Sequence, residues 1–205
     1  MRRVLFGIFV ISGLLAFQSL RAQCPADDGN GPWTSVIDQQ WTLPSGCVVD
    51  LWYCYRDVWN TGSGDNYERQ FYVYRVAIVS GCDGIAWQDI VHQAADQLYQ
   101  SIGSLPQCGG PINGKLVEIT LNSCMEYDPT WQFQNCPTCQ MLVACGTGTC
   151  SKTCSICFGW DPVTSTYHIF VSNCTLNEQY ASNCQDNPPS GPWPAWTCYH
   201  IPCNW

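Results

Sequence analysis

Between Cys136 and Cys157 the chain reads CPTCQMLVACGTGTCSKTCSIC, placing six of its sixteen cysteines within twenty-two residues. Two chemistries are open to such a cluster. Cys136, Cys139, Cys154 and Cys157 form two C-x2-C knuckles separated by fourteen residues, close to the spacing that holds a tetrahedral structural zinc ion. Cys145 and Cys150 interrupt that gap and Cys124 lies just upstream, so other sulfurs compete for the knuckle thiols. In an oxidising compartment neighbouring thiols pair with one another. A disulfide framework is therefore the reading adopted, with structural zinc as the alternative and no other cofactor implied. A redox-active C-x-x-C needs a helix N-terminus directly after it. Here Gln140 to Ala144 reads as a strand and Phe158 to Pro162 as a turn, and neither knuckle is followed by the histidine of a haem attachment site.

The remaining polar chemistry is sparse. His92, His168 and His200 sit in no H-E-x-x-H motif, and no G-x-S-x-G nucleophile elbow occurs, so no catalytic residue is assigned. Each histidine reads as a structural residue. Glu118 follows an apolar strand position and Glu126 lies close after Cys124. With His168 and His200 they are the groups a secreted hydrolase would draw on, since an acid/base pair needs two carboxylates facing one cleft. That hydrolase is the alternative function. Asp50 interrupts an apolar run and reads as an outward residue paired with Arg56 or Arg75 on the sheet surface.

Aromatic residues are more suggestive. They make up 13% of the chain, with ten tryptophans and ten tyrosines. Exposed indole rings stack on sugars and other planar apolar groups, whereas a segment poor in aliphatic residues also uses tryptophan as core filler. Trp131, Trp160, Trp193, Trp196 and Trp205 fall in turns or in the irregular tail. The first four are the candidate binding residues.

Several elements must position these groups. Cys47 to Arg56 is β-branched and aromatic, with alternate residues on one face, and Arg69 to Val79 is the strongest strand signal. Asp83-Gly84 offers a helix cap, after which Trp87, Val91, Ala94, Leu98 and Ile102 recur at helical spacing until Gly103 and Pro106 stop the helix. Lys115 to Asn122 alternates cleanly, with Val117, Ile119 and Leu121 inward. Phe158 to Val171 reads as a hairpin turning at Asp161-Pro162, with Tyr167, Ile169 and Val171 inward. The expected fold is α+β: a small, mainly antiparallel sheet with one packed helix in β-β-α-β order, then a disulfide-rich irregular and hairpin half. The proline-rich tail after Pro188 forms no long helix.

The N-terminus sets the compartment. Arg2 and Arg3 precede the apolar run Val4 to Phe17, and Ser19-Leu20-Arg21-Ala22 provides an exit, so residues 1–22 read as a signal peptide cleaved after Ala22. That run is short for a membrane span and no second one follows. Cys24 lacks the small residue that lipoprotein processing prefers just before the cysteine. The sixteen cysteines (Cys24, Cys47, Cys54, Cys82, Cys108, Cys124, Cys136, Cys139, Cys145, Cys150, Cys154, Cys157, Cys174, Cys184, Cys198 and Cys203) all follow the signal, an even set of disulfide candidates whose connectivity spacing does not fix. Cys82 and Cys108 flank the helix, too far apart to pair with each other. Without its three leader arginines the chain carries 5 basic and 16 acidic residues, which argues against nucleic acid or an anionic membrane as partner. Residues 23–123 read as a core-built region and 124–205 as a cysteine-rich region of the same domain. The function expected is an exported, disulfide-stabilised, non-catalytic binding or structural module of the periplasm or cell exterior, with an extracellular glycan or protein as partner.

Overall fold

The computed structural model describes residues 24–59, 67–109, 114–130, 139–179, 183–190 and 192–205. The signal segment, Trp131 and Cys136 lie outside them. The strands are β1 (Thr34–Thr42), β2 (Val48–Trp59), β3 (Tyr67–Ser80), β4 (Lys115–Asn122), β5 (Cys124–Asp128), β6 (Gln140–Ala144), β7 (Thr149–Asp161), β8 (Thr166–Gln179) and β9 (Tyr199–His200). One α-helix, α1 (Trp87–Asp96), runs on into a 3-10 turn at Gln97–Ser101.

β3 is the hub. Along one edge it pairs antiparallel with β2, which in turn carries β1. Along the other edge it forks: Glu68 to Val73 pair in parallel with β4, and Arg75 to Ile78 pair antiparallel with β6. A register shift between β2 and β3 falls beside Tyr74, where the partners change. β4 leads to β7 and then β8, and β6 leads to β5 and then β9. The parallel β3–β4 step requires a crossover, which α1 supplies.

The expected fold is corrected here. The molecule is mostly sheet, curled into a mixed half-barrel, and not a small mainly antiparallel sheet with an irregular second half. The cysteine-rich half contributes β7 and β8, two of the longest strands, to the same nine-stranded sheet. In β7 the cysteines occupy strand positions: Cys150, Cys154 and Ile156 are buried on one face and Cys157 lies on the other.

The main core lies between α1 and one face of the sheet. Trp87, Val91, Ala94, Leu98 and Ile102 are all buried there, against Leu51, Phe71, Val73, Val117, Ile119 and Ile156. On the opposite face a second apolar cluster forms around Trp52, Cys54, Tyr74, Ala77 and Met141, with Cys24 and Trp33 packed on it. Asp50 lies on this second face, directly opposite Ala77, and is buried. The surface position expected for Asp50 is corrected accordingly. Arg56 fastens the segment around Asp28 over this face, its Nη1 and Nη2 donating to the Asp28 carboxylate and its guanidinium lying 4.4 Å over the Trp33 ring. Those bonds hold the Asp28 carboxyl well below the usual range.

Among the described residues seven disulfides join Cys24 to Cys54, Cys47 to Cys82, Cys108 to Cys157, Cys124 to Cys184, Cys145 to Cys198, Cys150 to Cys203 and Cys154 to Cys174. Cys139 is disulfide-bonded as well. Cys154 and Cys157, half of the zinc alternative, thus have their sulfurs committed to Cys174 and Cys108, and a disulfide sulfur is not the thiolate that zinc binds. Among the described residues no helix is long and apolar enough to cross a membrane.

Candidate functional site

The β7–β8 hairpin carries three of the four exposed aromatic residues among the described ones, Phe158, Trp160 and Tyr167, the fourth being Trp196. Its turn is built by Asp161, whose carboxylate accepts the Val163 N–H at 2.8 Å and the Thr164 hydroxyl at 2.9 Å. The Val163 bond is the main reason its pKa lies below the ordinary carboxylate value. Ser165 closes the turn at φ 53°.

β4 ends its pairing with β7 at Ile156, so the outer part of the hairpin runs past the body of the sheet. The segment after the helix takes over the vacated edge. Phe158 N–H donates to the Pro106 carbonyl at 2.9 Å, and Cys108 N–H donates to the Phe158 carbonyl at 3.0 Å. The Cys108–Cys157 disulfide pins the same place. Gly159 is required by this packing, because a Cβ there would lie 3.0 Å from Cys108 Sγ and 3.2 Å from Phe170 Cε2.

Register decides which rings meet. Trp160 pairs with Tyr167 and Phe158 with Ile169, so these four share a face. Tyr167 stacks on Phe158 with centroids 5.6 Å apart and meets Trp160 edge-on at 5.2 Å. Phe158, Trp160 and Tyr167 are 43%, 51% and 59% exposed. His168 and Phe170 belong to the other face, with ring centroids 4.3 Å apart. His168 Nε2 lies 3.9 Å from Asp161 Oδ2. Ile169 packs against the core, as expected, but Tyr167 and Val171 are exposed and correct the inward positions read for them.

Two open grooves flank this outer part. The first, about 640 Å³, lies between Phe158, Tyr167, His168 and Ile169 on one side and Gln100, Ile102, Ser104 and Leu105 on the other. The second, about 530 Å³, is lined by Gln107, the Cys108–Cys157 disulfide, Gly159, Trp160, Phe170 and Ser172. Both combine apolar walls with amide and hydroxyl rims, the makeup of a site that binds a flat, polar-edged ligand.

The other sequence candidates fall elsewhere. Trp193 is a core residue, 3% exposed, packed on Trp87 and Tyr199 at 5.6 Å and 5.2 Å, which corrects its assignment as a binding residue. Trp196 is 54% exposed but sits against β5, its backbone N–H donating to the Tyr127 carbonyl. Trp205 stacks parallel to His92 at 5.2 Å and donates its indole N–H to Asp96. Burial pushes the His92 pKa down to about 4.

Of the four hydrolase candidates, Glu118, His168 and His200 have side-chain partners of their own. Glu118 accepts from Gln70 at 2.8 Å, and burial, reinforced by Glu68, raises its pKa. Burial chiefly raises Glu126 on β5. His200 Nε2 contacts Glu178 Oε1 at 2.6 Å, beside Asp186. His168 alone of the four lines a described groove. Among the described residues no group of three His, Cys, Asp or Glu is placed to hold a metal ion.

Reading the sequence placed Trp160 but missed Phe158, Tyr167 and Phe170 as its neighbours. The signal that could have found them is the Asp161-Pro162 turn, which fixes the pairing of Trp160 with Tyr167. No known family model matches this chain, and no curated protein or solved structure matches it.

Proposed function

We propose that this protein is an exported, non-catalytic binding module that holds a glycan against the aromatic hairpin of β7 and β8. The observation that carries the reading is the exposed set Phe158, Trp160 and Tyr167, of which Phe158 and Tyr167 line an open groove with Gln100, Ser104 and His168. Large rings left in water on an otherwise well-packed sheet have a use, since burying them would gain apolar stabilisation. Sugar rings offer a C–H face to an aromatic plane and hydroxyls to the surrounding amides. Export rests on the residue pattern of 1–22 and on a disulfide density that persists in oxidising compartments. Trp160 carries over from the sequence as a binding residue; Phe158 and Tyr167 join it.

A glycan array probed with the oxidised protein tests this directly. Binding is expected on at least one glycan class and should fall roughly tenfold in Trp160→Ala or Tyr167→Ala, for the loss of one stacking contact of about 1–1.5 kcal/mol. Trp196→Ala should leave it unchanged. A flat array, or loss of binding only in Trp196→Ala, would remove the hairpin reading.

A further inference from the structure

The two grooves adjoin across the aromatic hairpin, where His168 of the first touches Phe170 of the second with ring centroids 4.3 Å apart, and neither is lined by a carboxylate, lysine or arginine. We infer that they form a single track for the interior of a neutral glycan chain, passing from the Phe158–Tyr167 groove to the Phe170 groove across Trp160. This rests on the glycan reading above and adds two things to it: the charge class of the sugar and the manner in which its chain lies.

Continuity comes from Trp160. Its side chain lines the second groove while its ring touches Tyr167, which lines the first, at 5.2 Å. The hairpin residues that bear the rings are fixed on the same disulfide-pinned stretch, so the two grooves keep one relative geometry. Both grooves are open to solvent. A site for a chain end closes around the terminal sugar, whereas a site for a chain interior leaves an exit at each end. The combined space, about 640 Å³ and about 530 Å³, is more than a single sugar fills.

The charge class follows from the linings. Gln100, Ser104, Gln107 and Ser172 supply hydrogen-bonding groups without charge, and His168 is the one histidine of either lining. The chain as a whole carries a formal net charge of −8, which repels uronic acids and sulfated sugars. An acidic glycan would meet no guanidinium or ammonium group to offset that repulsion in either groove.

Calorimetric titration of the oxidised protein with β-1,4-linked gluco-, xylo- and manno-oligosaccharides, from single sugars to hexasaccharides and with oligogalacturonate as the acidic counterpart, tests the inference. One neutral series should bind with affinity that climbs with chain length, the longer members gaining roughly three- to tenfold from the second groove. Gln107→Ala and Phe170→Ala should cancel that gain and leave the shortest bound oligomer unaffected. Gln100→Ala should weaken every length, and Trp160→Ala should remove the length dependence along with most of the binding. Gln100 and Gln107 are exposed, so their variants report on contacts without disturbing the fold. Equal affinity for short and long members, or tightest binding of oligogalacturonate, would overturn the track while sparing the glycan reading. Binding to none of these probes, together with a flat glycan array, would overturn both.

Discussion

At the scale of single residues, the tryptophans divide by what surrounds them. Trp193 and Trp160 are the same residue type in a similarly turn-rich context, yet one is wedged between Trp87 and Tyr199 and the other faces water. Trp193→Ala should therefore cost about 3–5 kcal/mol of unfolding free energy, the usual range for emptying a buried aromatic site. Trp160→Ala should stay within roughly 0.5 kcal/mol while removing most of the binding. Denaturant titration of the two variants checks the contrast, and equal losses would put Trp160 in the core. His92 gives a pH signature of its own. Burial holds its pKa near 4 in the fold against 6.5 in the open chain, with Asp89 and Asp96 opposing that shift and Lys152 adding to it. The unfolded chain takes up the proton first as pH falls, so this contribution is complete above about 6.5 and is lost between 6.5 and 4, by roughly 3 kcal/mol. His92→Gln should flatten the stability profile across that window. Asp28, whose pKa is depressed, contributes in full above the ordinary carboxylate range and loses its contribution only below it, so the two effects separate on the pH axis.

At the scale of elements, the hairpin depends on a position without a side chain. Gly159→Ala would drive a methyl against Cys108 and Phe170, and overpacking of this kind costs about 1–3 kcal/mol. The variant should lose binding to long oligosaccharides before it loses its fold, read by titration beside a melting curve; unchanged binding would mean that the second groove is unused. Some elements were fully legible in the sequence. Val117, Ile119 and Leu121 alternate with Glu118 and Thr120, and the strand spans Lys115–Asn122 as the pattern indicates. The helix stripe from Trp87 to Ile102 was legible for the same reason, one buried face and one wet one. β8 was legible only near its turn. From Val171 to Gln179 every residue is exposed, so neither face imposes an alternating pattern. In β7 the alternation is present, but Cys150 and Cys154 carry it, and cysteine signals pairing or metal as readily as burial.

At the scale of the whole molecule, the sheet joins what reads as two regions. The parallel pairing of β3 with β4 and the fork at Tyr74 were not legible, because alternation tells which face of a strand is buried and says nothing about its neighbour or direction. Disulfides help to hold those neighbours in place. Cys154–Cys174 ties β7 to β8, Cys150–Cys203 and Cys145–Cys198 return the tail to the sheet, and Cys108–Cys157 lies at the base of the aromatic hairpin and lines the second groove. Cys108→Ser with Cys157→Ser should thus lower glycan affinity more than the equivalent change at Cys24 and Cys54, which lie on the second face. The most direct test of the architecture is peptide mapping of the oxidised protein, alkylated and digested without reductant. Peptides linking Cys108 to Cys157 and Cys154 to Cys174 are the expected result, with no alkylated sulfur at any of the four. Alkylated Cys154 and Cys157 alongside bound zinc, or a different partner for Cys108, would contradict it and take the aromatic track apart with it.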